Sequence, residues 1–202
     1  MAEVSNISAD EALRRLIAGN ERFVSGEVSF SGLQKDSLLD LATGQNPFVT
    51  ILGCSDSRVP PELVFDTGLG DLFVIRVAGN VFSPEIAGSL QYAGAHLNTM
   101  LFVVLGHGGC GAVSAALKTR DDGELQLSRI QLLVEKILPA LPPFDPGLSS
   151  AARLTQAIES NVRSAVKQIS ETAEGQRRHA EGRMKIVGAI YEIESGRVKF
   201  LT

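Results

Sequence analysis

Three short apolar runs constrain the fold of this chain most strongly. They span residues 47–53, 72–77 and 99–105 and read PFVTILG, LFVIRV and TMLFVVL. Apolar runs of strand length are typical of strands buried on both faces, which occur in parallel sheets covered by helices. The sequence therefore predicts an α/β fold built on a mostly parallel sheet.

Helical signals separate the second run from the third. Ser83, Pro84 and Glu85 have the residue types of an N-cap, a first-turn proline and a first-turn acid. They predict a helix over 84–97, and thus a strand, helix, strand unit. The end of the chain, MKIVGAIYEIESGRVKFL, predicts two strands joined by a turn. The expected sheet has four parallel strands plus an antiparallel C-terminal edge strand, and helices flank it.

The 202 residues are predicted to form one domain. A helix with a capping box is expected over 8–24, and a shorter helix near 35–43. The four predicted parts are an N-terminal helical arm (1–45), a core that contains both cysteines (46–117), a helical region (118–183) and a C-terminal hairpin (184–202).

Composition excludes several kinds of partner. Lys and Arg number 19 against 23 Asp and Glu, a net charge of −4, which does not attract nucleic acid or acidic membranes. No apolar run approaches the ~18 residues that cross a bilayer. The N-terminus also lacks the basic start and apolar stretch of a signal peptide. We therefore expect a cytoplasmic protein with neither nucleic acid nor membrane as a partner.

Both cysteines and one histidine directly follow predicted strands. Cys54 follows the first run in GCSDSRVPP, and His107 and Cys110 follow the third in GHGGCG. The carboxyl ends of parallel strands form the ligand crevice of open α/β sheets, so these side chains can converge. Two thiolates and one imidazole suit Zn²⁺, and three protein ligands leave a fourth position open for catalysis. Buried apolar cysteines and a turn histidine are the alternative, but the shared placement favours one zinc ion per chain.

Asp56 and Arg58 come just after Cys54. The Asp56 carboxylate could be a fourth metal ligand, which would close the site in an inactive state, or it could accept a hydrogen bond from a zinc-bound hydroxide. Arg58 can hold the carboxylate in a bidentate pair and so free the fourth position. Without Cys54 beside it, the pair would be interpreted as an ordinary surface ion pair.

The segments CSDSRVPPEL, GDLFVIRVAGN and GHGGCGAV resemble the signature segments of the β-class carbonic anhydrases. The resemblance runs from the N-terminal helix through about residue 117 and returns over the final hairpin. The roles that it implies are zinc binding by Cys54, His107 and Cys110, a catalytic dyad of Asp56 and Arg58, and substrate binding by Gln45, Phe73, Tyr92 and Gly108. Arg76 resembles an arginine of a second bicarbonate pocket in a regulated bacterial branch. Ile51 stands where that branch has tryptophan, so this regulation is not expected.

The resemblance also implies an activity, the reversible hydration of CO₂ to bicarbonate and a proton by attack of zinc-bound hydroxide. Two alternatives stay open. A hydrolase of carbonyl sulfide or carbon disulfide would use the same zinc hydroxide on another linear, apolar substrate. A non-enzymatic, zinc-stabilised interaction module would keep Asp56 as a permanent fourth ligand.

The N-terminal arm bears on the oligomeric state. Its apolar stripe includes Leu13, Leu16, Ile17 and Phe23. In the resembling family such arms pack on a neighbouring chain, and the substrate pocket lies at the chain boundary. We therefore expect a homo-oligomer, either a dimer or a dimer of dimers, in which the partner buries this stripe.

Overall fold

A computed structural model of the chain describes residues 7–29, 38–39 and 41–201, and its centre is a five-stranded sheet of order β2-β1-β3-β4-β5. The strands are β1 (Val49–Gly53), β2 (Leu72–Arg76), β3 (Leu101–His107), β4 (Lys185–Tyr191) and β5 (Val198–Leu201). The first four are parallel, and β5 pairs antiparallel with β4. The predicted sheet is confirmed.

Helices flank the sheet. In the described part of the chain they are α1 (Ala9–Ser25), α2 (Pro61–Val64), α3 (Pro84–His96), α4 (Gly111–Asp122), α5 (Ser128–Ile137), α6 (Ser150–Glu171) and α7 (Ala173–Ala180), with 3₁₀ turns at Ala78–Asn80 and Leu138–Ala140. The predicted caps are present, because Ser8 Oγ accepts from Glu11 N and Ser83 Oγ from Ile86 N. Of the helix expected near 35–43, the described residues 38, 39 and 41 are helical, 42 and 43 form a turn, and residues 35–37 and 40 lie outside the described part of the chain. No described helix has the length and apolar character that a membrane span requires.

The burial of the strands explains why the sequence shows them as clear apolar runs. Every residue of β1 and β3 is buried, since both strands lie inside the sheet and are covered on both faces. β2 lies at an edge, and most of its residues are only half-buried. The central pair β1 and β3 is therefore the most protected part of the sheet, and it leads directly into the segments with the cysteines and the histidine.

Helix α1 packs on its own chain through part of its apolar stripe, which corrects the expectation that a partner buries Leu16. Leu16 is fully buried in the cluster that contains Ile51 and Phe65. The helix comes so close that a Cβ at Gly19 would lie 1.9 Å from the Phe65 carbonyl oxygen. Only part of the stripe stays accessible, since Ile17 is 39% exposed.

Asn20 ties α1 to two distant parts of the same chain. Its Nδ2 donates to the carbonyl oxygens of Val64, at 3.0 Å, and Gly196, at 2.9 Å. Its Oδ1 accepts from Val198 N at 2.8 Å. These bonds connect α1 to α2 and to the final hairpin, so the helix belongs to the core of this domain.

The packing of α1 generates a matched pair of stability predictions. Leu16→Ala should lower the free energy of unfolding by about 2–5 kcal/mol, because it removes a fully buried side chain. Ile17→Ala, its neighbour on the exposed side, should cost about 0.5 kcal/mol or less. Urea-induced unfolding at one fixed protein concentration measures both. Equal losses would contradict the intrachain packing of α1.

Candidate metal centre

Two adjacent strands bring Cys54, His107 and Cys110 together. Cys54 directly follows β1, His107 ends β3, and Cys110 is the N-cap residue of α4. The parallel register aligns Gly53 with Leu105, so both strands end at the same edge of the sheet. One ligand atom from each of the three side chains lies within 4.8 Å of the others, and all three residues are buried. The arrangement can hold a metal ion.

The hydrogen bonding of His107 fits a metal ligand. Its Nδ1 lies 3.0 Å from the carbonyl oxygen of Gly108, so Nδ1 carries the proton and donates. Nε2 then has a free lone pair, and this buried atom has no hydrogen-bond partner among the described residues. A buried polar atom without a partner is costly unless something else satisfies it. A metal ion bound to Nε2 would do so. A hydrogen bond from the other ring nitrogen to a backbone carbonyl, as His107 makes here, is typical of metal-binding histidines.

The two thiols share one hydrogen bond and differ in acidity. The hydrogen bond from Cys110 lowers the pKa of Cys54 to about 4, against the opposing effect of burial. The same bond and burial raise the pKa of Cys110. Burial lowers the pKa of His107, but the Cys54 thiolate, the Gly108 carbonyl and the Asp56 carboxylate together raise it, and the net shift is upward. The pair thus holds a thiolate, the form of cysteine that binds metals.

Arg58 holds the Asp56 carboxylate at the rim of this cluster. Arg58 Nε donates to Oδ1 at 2.9 Å and Nη2 donates to Oδ2 at 2.8 Å, and the backbone N–H of Arg58 adds a third bond of 3.0 Å to Oδ1. These bonds keep the pKa of Asp56 well below its usual range. Oδ2 lies 3.8 Å from His107 Nε2. A charged carboxylate therefore stands beside the cluster while its hydrogen bonds go to Arg58.

Arg76 supports the same loop, a role that the sequence did not reveal. Its Nε donates to the carbonyl oxygen of Cys54 at 2.9 Å, and its Nη2 donates to that of Asp56 at 2.6 Å. The resemblance related this arginine only to a second bicarbonate pocket. The signal that could have located it is its position, because the β1–β2 register places Arg76 opposite Gly53, next to Cys54.

A single chain does not bring the other expected pocket residues to the cluster. Phe73 pairs with Thr50, four residues before Cys54, a separation of about 13 Å along a strand. Tyr92 packs on Phe73 with ring centroids 6.0 Å apart and is 47% exposed. Gln45 precedes β1 and is also exposed. These three residues thus lie toward the opposite end of the strands from the cysteines and the histidine.

Gly108 does reach the cluster, but its backbone groups already have partners. Its N–H donates to the Tyr191 carbonyl oxygen at 2.9 Å, and its own carbonyl accepts from His107 Nδ1. The expected substrate contact therefore cannot rely on a free amide at this position. What Gly108 does in this structure is orient the imidazole of His107.

Fold and site together define an α/β protein with a buried group of two cysteines and one histidine that could hold a metal ion. The family model described as carbonic anhydrase matches residues 49–198. Carbonic anhydrase 2 of Mycobacterium tuberculosis is 40% identical over 199 residues, which are 98% of this chain and 93% of that protein. The chain belongs to the β-carbonic anhydrase family, as its motifs predicted.

Two further relatives extend the similarity. The carbonic anhydrase of Pseudomonas aeruginosa is 35% identical over 167 residues, which are 80% of this chain and 76% of that protein. The solved structure of the β-carbonic anhydrase CcaA superposes with a TM-score of 0.75 at 29% identity, over 94% of this chain and 95% of that one. Both matches cover most of the chain.

The ligand geometry generates a prediction on metal content. Cys54→Ser and Cys110→Ser should each lose most of the bound metal, because a hydroxyl is a far weaker ligand than a thiolate. Ser55→Ala, at the exposed neighbour of Cys54, is the control and should keep the wild-type content. Elemental analysis of the purified variants gives the answer. Full retention of metal in both cysteine variants would disprove the ligand set.

Proposed function

We propose that this chain is a zinc-dependent carbonic anhydrase that catalyses the reversible hydration of CO₂ to bicarbonate and a proton. The observation that carries the proposal is the buried set of Cys54, His107 and Cys110 with a charged carboxylate held just outside it. Zinc, when bound there, lowers the pKa of a water molecule enough to make it a nucleophile near neutral pH. The remaining work falls to residues of the chain.

Asp56 orients the nucleophile in this proposal. Its carboxylate is an acceptor that stays charged throughout the neutral range, since its pKa is well below the usual value. It can therefore accept a hydrogen bond and turn the attacking oxygen lone pair toward CO₂. Orientation of a reactant by a fixed group accounts for a large part of many enzymatic rate enhancements.

Arg58 keeps Asp56 available for that role. If Asp56 became a metal ligand, it would have to give up hydrogen bonds to the guanidinium, and the site would close in an inactive state. The bidentate pair opposes this exchange. The same pair supports an enzyme over a purely zinc-stabilised interaction module, in which a permanently coordinated Asp56 would have no need of Arg58.

The dyad yields the test of this function. Asp56→Asn and Arg58→Ala should lower kcat for CO₂ hydration by about 100-fold or more while zinc content stays near that of the wild type, because both changes affect orientation and leave the ligands in place. Stopped-flow CO₂ hydration and metal analysis measure the two quantities. Arg163→Ala is the control, since it removes an arginine from the surface pair with Glu159 on α6.

Two results would refute the proposal. Wild-type turnover in either dyad variant would remove the assigned roles of Asp56 and Arg58. A zinc-loaded wild type that hydrolyses carbonyl sulfide or carbon disulfide but does not hydrate CO₂ would replace the activity itself.

We further propose that the chain works as a homo-oligomer, a dimer or a dimer of dimers. Phe73, Tyr92 and Gln45 lie away from the metal cluster of their own chain, and Tyr92 is exposed. In the resembling family the pocket lies at the chain boundary. A partner would therefore receive these residues at its own cluster.

Tyr92→Ser should then weaken assembly and CO₂ hydration together, because the partner loses an aromatic wall of its pocket. Leu127→Ser is the control: it also removes an exposed apolar side chain, but from the segment before α5. Light scattering at micromolar concentration and the hydration rate are measured on the same samples. A fully active wild-type monomer would contradict the assembly.

A further inference from the structure

Helix α6 contacts the metal centre through a single intervening residue. Asn161, in the middle of this helix, is 4% exposed. Its Nδ2 donates to the carbonyl oxygen of Gly79 at 2.8 Å. The N–H of the same glycine donates to Cys54 Sγ at 3.3 Å. A buried amide side chain is thus linked to a sulfur of the candidate zinc site.

The conformation and surroundings of Gly79 constrain its backbone in addition to these hydrogen bonds. It occupies the 3₁₀ turn after β2 in a left-handed conformation, with φ of 71°, which glycine adopts without strain. A Cβ at this position would lie 2.8 Å from Ile137 Cδ1 and 3.1 Å from Ala112 Cβ. Only glycine lets the backbone approach the sulfur here, and the bond from Asn161 fixes the orientation of the residue.

A backbone N–H that points at a thiolate has two effects. It fixes the direction of the sulfur, and it withdraws electron density that the sulfur would otherwise donate to a metal. Partners of this kind, which contact a ligand and not the metal, commonly change metal affinity by about 10–100-fold when they are removed. Asn161 is one bond further away and would act by keeping Gly79 in place.

We infer that Asn161 is a positioning residue for the zinc ligand Cys54, acting through the Gly79 N–H. The inference rests on the proposed zinc-dependent function. It assigns a role to the helical region 118–183, in which the sequence shows no recognisable motif. Asn161 touches neither the cluster nor a substrate, so its effect is on the strength and electronic character of one ligand.

The variant that tests this is Asn161→Leu, which removes the donor and keeps a similar volume. Zinc should dissociate from it to a competing chelator about tenfold faster than from the wild type, because the Cys54 sulfur is no longer held in its direction. In the cobalt-substituted protein, the sulfur-to-cobalt absorption band should shift, because Cys54 has lost the ordered N–H donor. The pH midpoint of CO₂ hydration should move upward, since a more electron-rich sulfur makes the metal less acidic. Asn161→Ala provides the same measurements if the leucine variant does not fold.

The control is Ile169→Val. Ile169 is buried on the same helix, in an apolar cluster that packs on the sheet. The substitution lowers stability without touching Gly79 and should leave the zinc dissociation rate and the cobalt band unchanged. If the zinc-loaded wild type and the Asn161 variants have equal dissociation rates and spectra, the inference is overturned and the proposed function is not affected. Equal acceleration in Ile169→Val would overturn it as well, since the effect would then be one of general stability. A wild type that binds no zinc would overturn the proposed function together with this inference.

Discussion

The parallel pairing of β1 with β3 is the constraint on which the rest of the structure depends. Cys54 and His107 are 53 positions apart in the sequence, and only the alignment of Gly53 with Leu105 brings the two strand ends to one edge of the sheet. Both strands are wholly buried, so the register cannot slip without exposing apolar side chains or burying unpaired backbone groups. The ligand geometry is therefore as rigid as the core itself.

Charge balance explains why the dyad stands beside the ligands. Two thiolates and a dication sum to zero, and Asp56 and Arg58 neutralise each other, so the proposed zinc site would bury no uncompensated charge. Without Arg58, the nearest cation to the Asp56 carboxylate would be the metal ion. The arginine thus acts on the choice between an open and a closed centre without needing to contact the substrate. The Arg58 side chain is half-exposed, so it can move and allow Asp56 to exchange between the guanidinium and the metal.

The parts of the fold that could be predicted from the sequence depend on local patterns. Apolar runs, the Ser83 cap and the placement of Cys54 after a strand are all readable within a few residues. The missed features are contacts between distant residues. Arg76 binds the Cys54 loop because two strands pair, and Asn161 meets Gly79 across 82 positions because α6 packs beside the turn. Composition and periodicity contain no such information. The four-residue helix α2 was missed for another reason, since it is too short to show a period.

The position of α1 shows where resemblance and packing give different answers. An amphipathic helix needs a surface, and its own sheet supplies one, because Gly19 allows close approach and Leu16 fills the core. A partner is therefore not needed to bury Leu16, whereas Ile17 stays accessible. In the proposed oligomer, the surface that a partner would cover lies instead at the other end of the strands, where Phe73 and Tyr92 form an aromatic surface remote from the cysteines and the histidine of their own chain. Under the proposed assembly, each chain would complete its metal centre alone, and only the substrate pocket would require two chains.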